Sequence, residues 1–528
     1  MKSSRKRIAV GRRAWPIRTV LAVAFSALLL SWNIPVSASS KAGDLDPSFG
    51  GDGKVTTYLS SIGGAVTAIA VQPDGKVVAA GTIEERAFAL ARYNPDGFPD
   101  LTFGFIGVVI TEVGGIGIIF SMSLLPDGKI VVAGVGVSTP NGFDFAVARY
   151  NPDGTLDTTF GSGGIVLTDF FGDSDSAYAL TVLDDGKMIV TGTTWNPTSN
   201  NRDFGLVRYN SDGSLDESFG DGGRVVTDIS GSDYAYGIGI QSSGKIVVGG
   251  SSSGTGSNFA LARYKRDGKL DRSFGTDGKV ITDFSGGYDR AYSLKIQPDD
   301  KIVLGGYAEI EEGGWYQGFA LARYDANGTL DPTFGGGGKV TTIYSSFSCT
   351  VTALAIQADG KIVAAGQRRE LADTEDFAVT RYDTDGSLDG SFSSGGMAIT
   401  DFFNYQDQAW AVTIAPDGRI IVGGMARDSH DTYYFAVACY LAKGTPNITS
   451  AVVSGKKLFV YGTYFDEGSD IYLDGEKQKT KNDSDNPETV LIGKKAGKKI
   501  APGQTVTLQV RCPDGRESRE YSFTRLVE

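Results

Sequence analysis

Acidic side chains recur at one place in a segment that this chain repeats, directly after a threonine. A glutamate, Glu112, stands there in one copy, and four further copies carry Asp169, Asp228, Asp283 and Asp401. We expect these residues to leave the innermost strand of each unit and to form a partial acidic ring near a central mouth. Such a ring suits Ca²⁺, which prefers oxygen ligands. A short carboxylate can instead cap its own turn, and we favour the cap over bound Ca²⁺; no other cofactor is predicted.

A second group of side chains suited to binding is aromatic. They fall in segments whose length varies between copies, and variable loops on a rigid scaffold often carry function. The residues are Trp195, Trp315, Tyr316, Tyr433 and Tyr434. Exposed rings beside carboxylates can pack against sugar faces while the carboxylates accept hydrogen bonds from hydroxyls. We predict a ligand-binding role for them, and packing against neighbouring loops is the alternative.

Few residues of the chain could serve nucleophilic or metal-assisted catalysis. There is one histidine, His430, and there are three cysteines. That inventory excludes a His-rich metal site and disfavours catalysis by cysteine. We therefore predict no catalytic residue and no metal centre. Carboxylates are abundant, so a hydrolase or lyase that uses a pair of loop carboxylates stays open as the alternative.

The candidate residues lie in a segment that occurs seven times, at intervals of 54 to 60 residues. Its marker is a phenylalanine with Asp three residues before it and Gly four residues after it. The seven are Phe49, Phe103, Phe160, Phe219, Phe274, Phe334 and Phe392. One unit of this size cannot bury its own apolar faces, so the period indicates a stacked or closed array.

Each copy has the pattern of four short strands, made of β-branched and aromatic runs bounded by turn residues. In the third copy the strands are predicted at 164–168, 177–183, 187–192 and 204–209. Turns such as Gln72-Pro-Asp-Gly-Lys76 join the second strand to the third, with Gly supplying the left-handed corner. Four antiparallel strands repeated seven times predict an all-β fold, a seven-bladed β-propeller over residues 39–445.

An arginine and an aspartate eight residues later flank every junction between consecutive copies. The pairs are Arg92/Asp100, Arg149/Asp157, Arg208/Asp216, Arg263/Asp271, Arg323/Asp331 and Arg381/Asp389. The seventh arginine position is Cys439. We predict that each pair is structural and fixes the connection between neighbouring units.

The N-terminal segment and the overall charge indicate where the protein works. Residues 1–38 have a basic start, a short apolar run and a small-residue end, which are typical of a secretory signal peptide. We expect a secreted, periplasmic or cell-surface protein that is monomeric and has no membrane span in the mature chain. The net charge is −12, and the segment's seven basic residues bring the remainder to −19, which argues against nucleic acid as a partner.

The repeat resembles a known family. The string from Phe259 to Thr282 (Phe-Ala-Leu-Ala-Arg-Tyr, then Asp-Gly, then Phe-Gly) is similar to the delta-60 repeats of bacterial propellers. The resemblance implies a seven-bladed propeller on an exported protein, and it brings no catalytic residues. Residues 446–528 lack the repeat. Lys457–Phe465 and 470–475 resemble the opening of an IPT/TIG-type immunoglobulin-like domain, which predicts a small C-terminal β-sandwich.

Together these features predict an exported, non-enzymatic binding or adhesion scaffold. It would present the variable loops on one face of the ring to an extracellular carbohydrate or protein. The alternative is a carbohydrate-active hydrolase or lyase that uses loop carboxylates on the same ring.

Overall fold

Short β-strands make up almost all the regular structure in the computed structural model. It describes residues 41–526, apart from 61–62, 140–141, 255, 312–314, 345–347, 370–373, 445, 514–515 and 519. The predicted signal peptide therefore lies outside the described residues. Within them the one helical segment is a 3-10 turn, Ala496–Lys499, and no helix is long and apolar enough to cross a membrane.

The strands between Lys54 and Tyr440 form seven sheets, S1 to S7, each with four antiparallel strands. The first strand of the chain is β1 (Lys54–Thr57). Sheet S1 contains β2 (Gly64–Val71), β3 (Val77–Ile83), β4 (Ala87–Tyr93) and β5 (Val108–Glu112). Sheet S2 contains β6 (Ile118–Leu124), β7 (Ile130–Thr139), β8 (Gly142–Tyr150) and β9 (Ile165–Thr168). Sheet S3 contains β10 (Ser176–Val182), β11 (Met188–Asn196), β12 (Asn201–Tyr209) and β13 (Arg224–Thr227).

The later sheets follow the same order. Sheet S4 contains β14 (Asp233–Ile240), β15 (Ile246–Ser252), β16 (Asn258–Tyr264) and β17 (Lys279–Thr282). Sheet S5 contains β18 (Asp289–Ile296), β19 (Ile302–Glu311), β20 (Trp315–Tyr324) and β21 (Lys339–Thr342). Sheet S6 contains β22 (Cys349–Ile356), β23 (Ile362–Arg369), β24 (Glu375–Tyr382) and β25 (Met397–Thr400). Sheet S7 contains β26 (Asp407–Ile414), β27 (Ile420–Arg427), β28 (Tyr433–Tyr440) and β1.

The first strand of each sheet lies at the centre of the array. Each of these inner strands packs against the inner strand of the next sheet, and β2 packs against β26. The contacts therefore close into a ring of sheets. The second and third strands are sandwiched between neighbouring sheets, so that in β3 and β4 every residue is buried. Alternating apolar and polar positions are not needed where both faces are covered.

The structure corrects the predicted order of strands within a unit. The strand after the repeated phenylalanine was expected to be innermost, but β9 pairs with β8, the third strand of S2, and is the outermost strand of that sheet. The repeat in the sequence is therefore offset by one strand from the sheet. For the same reason β1 pairs with β28, and the N-terminal strand completes the last sheet.

Neighbouring sheets are joined by apolar cores and by a repeated hydrogen bond. The seven marker phenylalanines are fully buried. The Tyr209 hydroxyl on the third strand of S3 donates to Thr168 Oγ1 on the outer strand of S2, at 2.7 Å. The same bond between Tyr93 and Thr57, also 2.7 Å, links S1 to S7. The same buried Tyr–Thr pair therefore links both consecutive sheets and the two sheets that close the ring.

The C-terminal segment forms two further four-stranded sheets. The first contains β29 (Asn447–Ser454), β30 (Lys457–Thr463), β33 (Thr480–Asn482) and β34 (Val490–Gly493). The second contains β31 (Asp470–Leu473), β32 (Glu476–Lys477), β35 (Thr505–Arg511) and β36 (Tyr521–Thr524). They share a core of their own that includes Leu458, Ile471 and Leu508. Lys443 bonds Asp466 at 3.3 Å where the chain enters this segment.

Candidate functional site

Every inner strand carries a β-bulge at the same place. In β10 the register skips from Ala177 to Ala179, which leaves Tyr178 without a partner on β11. A glycine opposite the bulge makes it possible, since a Cβ on Gly192 would lie 1.9 Å from the Ser176 carbonyl oxygen. The seven bulged residues are Thr67, Phe120, Tyr178, Tyr236, Tyr292, Thr352 and Trp410. A bulge re-aims its side chain, and all seven line one cavity.

This central cavity has a volume of about 1320 Å³ and is walled by the inner strands. Four bulged residues on consecutive sheets, Phe120, Tyr178, Tyr236 and Tyr292, form what we call the aromatic belt. Their ring centroids are 5.0, 4.8 and 5.1 Å apart in that order, all tilted. Each ring is half-buried, so one part packs on its neighbour and another faces the cavity. Trp410 lies on the same wall from S7.

Polar and charged groups complete the wall of the cavity. Burial raises the pKa of Tyr178 and raises that of Tyr307 to about 12, so both phenols stay protonated and can donate. The side chain of Lys295 on β18 is exposed to the cavity. Because the surrounding sheets bury its ammonium group within the ring, the pKa of that group is lowered. No ion pair is found for Lys295 among the described residues. Glu84 and Glu85 line the cavity from the connection between β3 and β4.

The arginine and aspartate of each predicted structural pair are in direct contact. In all six pairs Arg Nε lies 2.7 to 2.9 Å from Asp Oδ2. A turn lysine reaches the same carboxylate, as Lys187 does to Asp216 at 2.7 Å. The guanidinium of Arg208 also lies 4.5 Å from the centre of the Phe219 ring and donates to the Arg266 carbonyl oxygen of the next copy. Each arginine therefore contacts two consecutive copies.

The seventh junction uses a different arginine. At Cys439 no guanidinium is available, but Arg419 from the turn after β26 donates to Asp46 Oδ2 at 3.1 Å. It also donates to the Pro95 carbonyl oxygen at 3.2 Å. Asp46 is the first copy's equivalent of Asp100. One residue thus takes the place of both the turn lysine and the strand arginine where the ring closes.

Comparison with known proteins agrees with this architecture. Six segments match a family model described as "Domain of unknown function (DUF5122) beta-propeller", namely residues 72–103, 125–160, 183–219, 241–274, 297–334 and 357–392. This is a β-propeller repeat protein. No curated protein matches its sequence.

Solved structures similar to the propeller have diverse titles. A fungal alcohol oxidase of the AA5 family in complex with copper is 12% identical, with 93% of this chain and 100% of that chain covered and a TM-score of 0.38. A Dyadobacter fermentans protein of unknown function is 12% identical, with 74% and 97% covered and a TM-score of 0.36. An ulvan lyase of polysaccharide lyase family PL25 is 12% identical, with 77% and 94% covered and a TM-score of 0.40. We infer no activity from scores this low.

The four predicted aspartates do not form a ring at the central mouth of the propeller. Each of them follows the fourth strand of a sheet. That strand is the outermost one of the sheet and not the innermost. Three of them cap their own turns: Asp169 Oδ1 accepts from Gly172 N at 2.7 Å, Asp283 from Gly286 N at 2.8 Å and Asp401 from Asn404 N at 2.6 Å.

Three of these aspartates belong to separate clusters of three carboxylates. The clusters are Asp144/Asp169/Asp175, Asp203/Asp228/Asp233 and Asp376/Asp401/Asp407. Burial, with a contribution from the neighbouring Asp169, raises the pKa of Asp175 to about 7. Burial likewise raises the pKa of Asp407 to about 7. Each cluster joins two sheets, and no single stretch of sequence reveals it.

The predicted aromatic residues lie at strand ends and not in loops. Trp195 is in β11, Tyr316 in β20, and Tyr433 and Tyr434 in β28; the side chain of Trp315 lies outside the described residues. Of the four described side chains only Tyr433 lines the cavity. Tyr434 packs 5.3 Å from Phe403 and donates to Asp428 at 3.0 Å, as the packing alternative predicts.

The aromatic belt was not predicted from the sequence, although the sequence contains a signal for it. The inner strands repeat a large residue between two small ones, as in Ala177-Tyr178-Ala179 and Ala409-Trp410-Ala411. This pattern indicates a bulge when a glycine lies opposite it on the following strand. The inner strands vary little in length, so a prediction based on segments of variable length does not include them.

Proposed function

We propose that this protein is an exported, non-enzymatic binding scaffold that takes an extracellular carbohydrate into the mouth of its central cavity. The proposal includes a seven-bladed propeller of delta-60-like repeats and a signal peptide at residues 1–38. It also includes an immunoglobulin-like module at residues 446–528 that acts as a spacer. The observation that carries it is the aromatic belt, four touching rings that face a cavity of about 1320 Å³.

The position of the belt supports entry of the ligand from one particular side of the ring. Tyr178 and Tyr236 lie near the start of their strands, at the end of the sheets that carries the connections of variable length. Glu84, Gln317 and Tyr433 line the cavity from that same end. Rings facing an open mouth provide flat apolar surfaces for sugar rings, and the phenols and amides offer hydrogen bonds to hydroxyl groups.

The chemistry of the wall also indicates the class of carbohydrate. Lys295 has no ion pair among the described residues and lines the cavity three residues after Tyr292 on the inner strand β18. An unpaired ammonium group favours a ligand with a carboxylate or sulfate, and the surroundings of low dielectric strengthen that attraction. We therefore propose acidic polysaccharides over neutral ones.

The experiment measures binding and product release together. Purified residues 39–528 are incubated with acidic and neutral polysaccharides, and retained protein, reducing ends and unsaturated ends are recorded. We expect retention on acidic polysaccharides without product. Tyr236→Ala should weaken binding about tenfold, which corresponds to about 1.4 kcal/mol for a lost stacking contact. Tyr288→Ala, at a 59% exposed ring outside the cavity lining, is the matched control.

The other outcomes separate the remaining readings. Lys295→Met should reduce retention on acidic polysaccharides and leave the weaker retention on neutral ones unchanged. Released product that disappears in Glu84→Gln or Glu85→Gln would replace the scaffold with a hydrolase or lyase, since these two carboxylates line the mouth. Equal retention of Tyr236→Ala and the native protein would overturn the cavity as the binding site. Binding to no polysaccharide would leave an extracellular protein as the partner to test.

A further inference from the structure

The three carboxylate clusters repeat one geometry at different junctions of the ring. Each takes one aspartate from the third strand of a sheet, one from just after the outer strand, and one from the entry to the next sheet's inner strand. The first two are always 25 residues apart, as in Asp144 and Asp169. In each cluster, one oxygen from each carboxylate lies within 4.8 Å of the other two.

That spacing fits a single bound cation. Ca²⁺ binds oxygen at about 2.4 Å, so two oxygens on one ion lie at most about 4.8 Å apart. It accepts carboxylates together with main-chain oxygens and water, and its irregular coordination suits three ligands from different segments. Mg²⁺ demands shorter distances and near-ideal octahedral geometry, which makes Ca²⁺ the better fit.

A second observation points to a ligand at each cluster. Each cluster has a fully buried aspartate with one oxygen that accepts no hydrogen bond among the described residues; these are Asp175, Asp203 and Asp407. The other oxygen is in use, since Asp175 Oδ2 accepts from Phe170 N at 2.8 Å and Asp407 Oδ2 from Phe402 N at 2.7 Å. A buried carboxylate oxygen without a partner is costly, and a cation would satisfy it.

The lysines that reach the second and third clusters form no ion pair with the carboxylates of those clusters among the described residues. Lys279 Nζ donates to the main-chain oxygen of Asp228 at 2.5 Å, and Lys54 Nζ to that of Asp401 at 3.1 Å. Both lysines are thus bound to carbonyl groups and not to the carboxylates.

We propose that the three carboxylate clusters are Ca²⁺ sites that fasten neighbouring sheets of the ring. A fourth junction of the ring can be compared with the three clusters. There Asp283 and Asp289 are present, but Asn258 occupies the position of Asp144 and Asp203. Asp289 N donates to Ser257 O at 2.6 Å, as Asp175 N donates to Phe143 O at 2.7 Å. The backbone is therefore alike, Asp289 Oδ1 also accepts no hydrogen bond among the described residues, and one carboxylate of the cluster is missing.

The test counts bound Ca²⁺ per chain. The chelator-treated, full mature protein is titrated with Ca²⁺ by calorimetry and equilibrium dialysis at physiological ionic strength. We expect three equivalents. Asp228→Asn, at the exposed member of the second cluster, should lower the count by one. Asn258→Asp should raise it by one, because it completes a fourth cluster. Asp185→Asn removes the same charge at an exposed turn and should leave three.

Thermal unfolding gives an independent readout. Ca²⁺ should raise the melting temperature relative to chelator, by less in Asp228→Asn and by more in Asn258→Asp. The gain expected from Asn258→Asp keeps the test meaningful if a loss variant folds poorly. A Ca²⁺ count that neither variant changes, or that Asp185→Asn lowers as much as Asp228→Asn does, would overturn the proposal and indicate diffuse binding to an acidic surface.

Discussion

At the scale of single residues, a buried Arg–Asp pair recurs at six junctions of the ring. Asp216 accepts from Arg208 Nε at 2.7 Å and from Lys187 Nζ at 2.7 Å, and its Oδ1 accepts from the Ser218 hydroxyl at 2.6 Å. Burial would raise the pKa of Asp216, but Lys187, Ser218 and Arg208 outweigh it and hold that pKa well below its ordinary value. The carboxylate is therefore bound in its charged form.

A lowered pKa has a definite consequence for stability. Asp216 stabilises the fold fully above the pKa of an unfolded aspartate, about 3.9, and loses that contribution as pH falls through the lower folded value. Asp216→Asn should reduce the free energy of unfolding by about 3 kcal/mol at pH 7, because it leaves buried Arg208 without its charged partner. The deficit should shrink as pH falls below about 4. Chemical denaturation at several pH values tests this, with Asp185→Asn as control. A deficit that does not change with pH would contradict it.

At the scale of elements, the β-bulge connects a glycine to the candidate site. Gly192 lets the Ser176 carbonyl oxygen approach, the bulge follows, and Tyr178 turns toward the cavity. The same arrangement recurs in every inner strand, with a Cβ on the opposing glycine 1.7 to 1.9 Å from a carbonyl oxygen. The aromatic belt is thus a product of strand geometry and not of loop conformation.

Gly192→Ala should therefore damage the bulge. Its Cβ cannot occupy a space 1.9 Å from a carbonyl oxygen, so S3 must shift. Overpacking of this kind costs about 1–3 kcal/mol. We expect a lower melting temperature and weaker ligand retention together. The matched control is Gly390→Ala, where an added Cβ meets nothing within 4 Å. Normal stability and binding in Gly192→Ala would show that the bulge does not need glycine.

At the scale of the whole molecule, closure depends on joining the two ends of the repeat array. The strand β1 pairs with β28, and the main-chain N of Asp46 donates to the Cys439 carbonyl oxygen at 2.8 Å. Arg419 supplies the cation that Cys439 cannot. A ring held by a terminal strand leaves only short edges exposed, so this junction protects the array from opening.

Arg419→Ala should weaken the closure of the ring more than the same substitution at any arginine on the surface. It leaves Asp46, which is 6% exposed, without its guanidinium partner. We expect a loss of about 3 kcal/mol and faster protease cleavage near residue 57, because β1 detaches first. Limited proteolysis with mass spectrometry and a thermal melt measure both effects. Arg272→Ala, at an exposed residue, is the control. Unchanged proteolysis would mean that backbone pairing alone closes the ring.

The sequence by itself determined the local and repeated features. Period, strand content and hairpin turns follow from patterns within one copy. Asp300 stands where the equivalent turns carry glycine, and it adopts the same left-handed conformation with φ +64. The Arg–Asp contacts could be predicted from the sequence because the two residues are only eight positions apart and are joined by one tight connection. Only the tertiary structure decided the rest. The aromatic belt needs several sheets around one axis, and each carboxylate cluster needs two sheets side by side. The repeat in the sequence does not predict at which strand a sheet ends. The boundary of each sheet is set by hydrogen bonds between strands of successive copies.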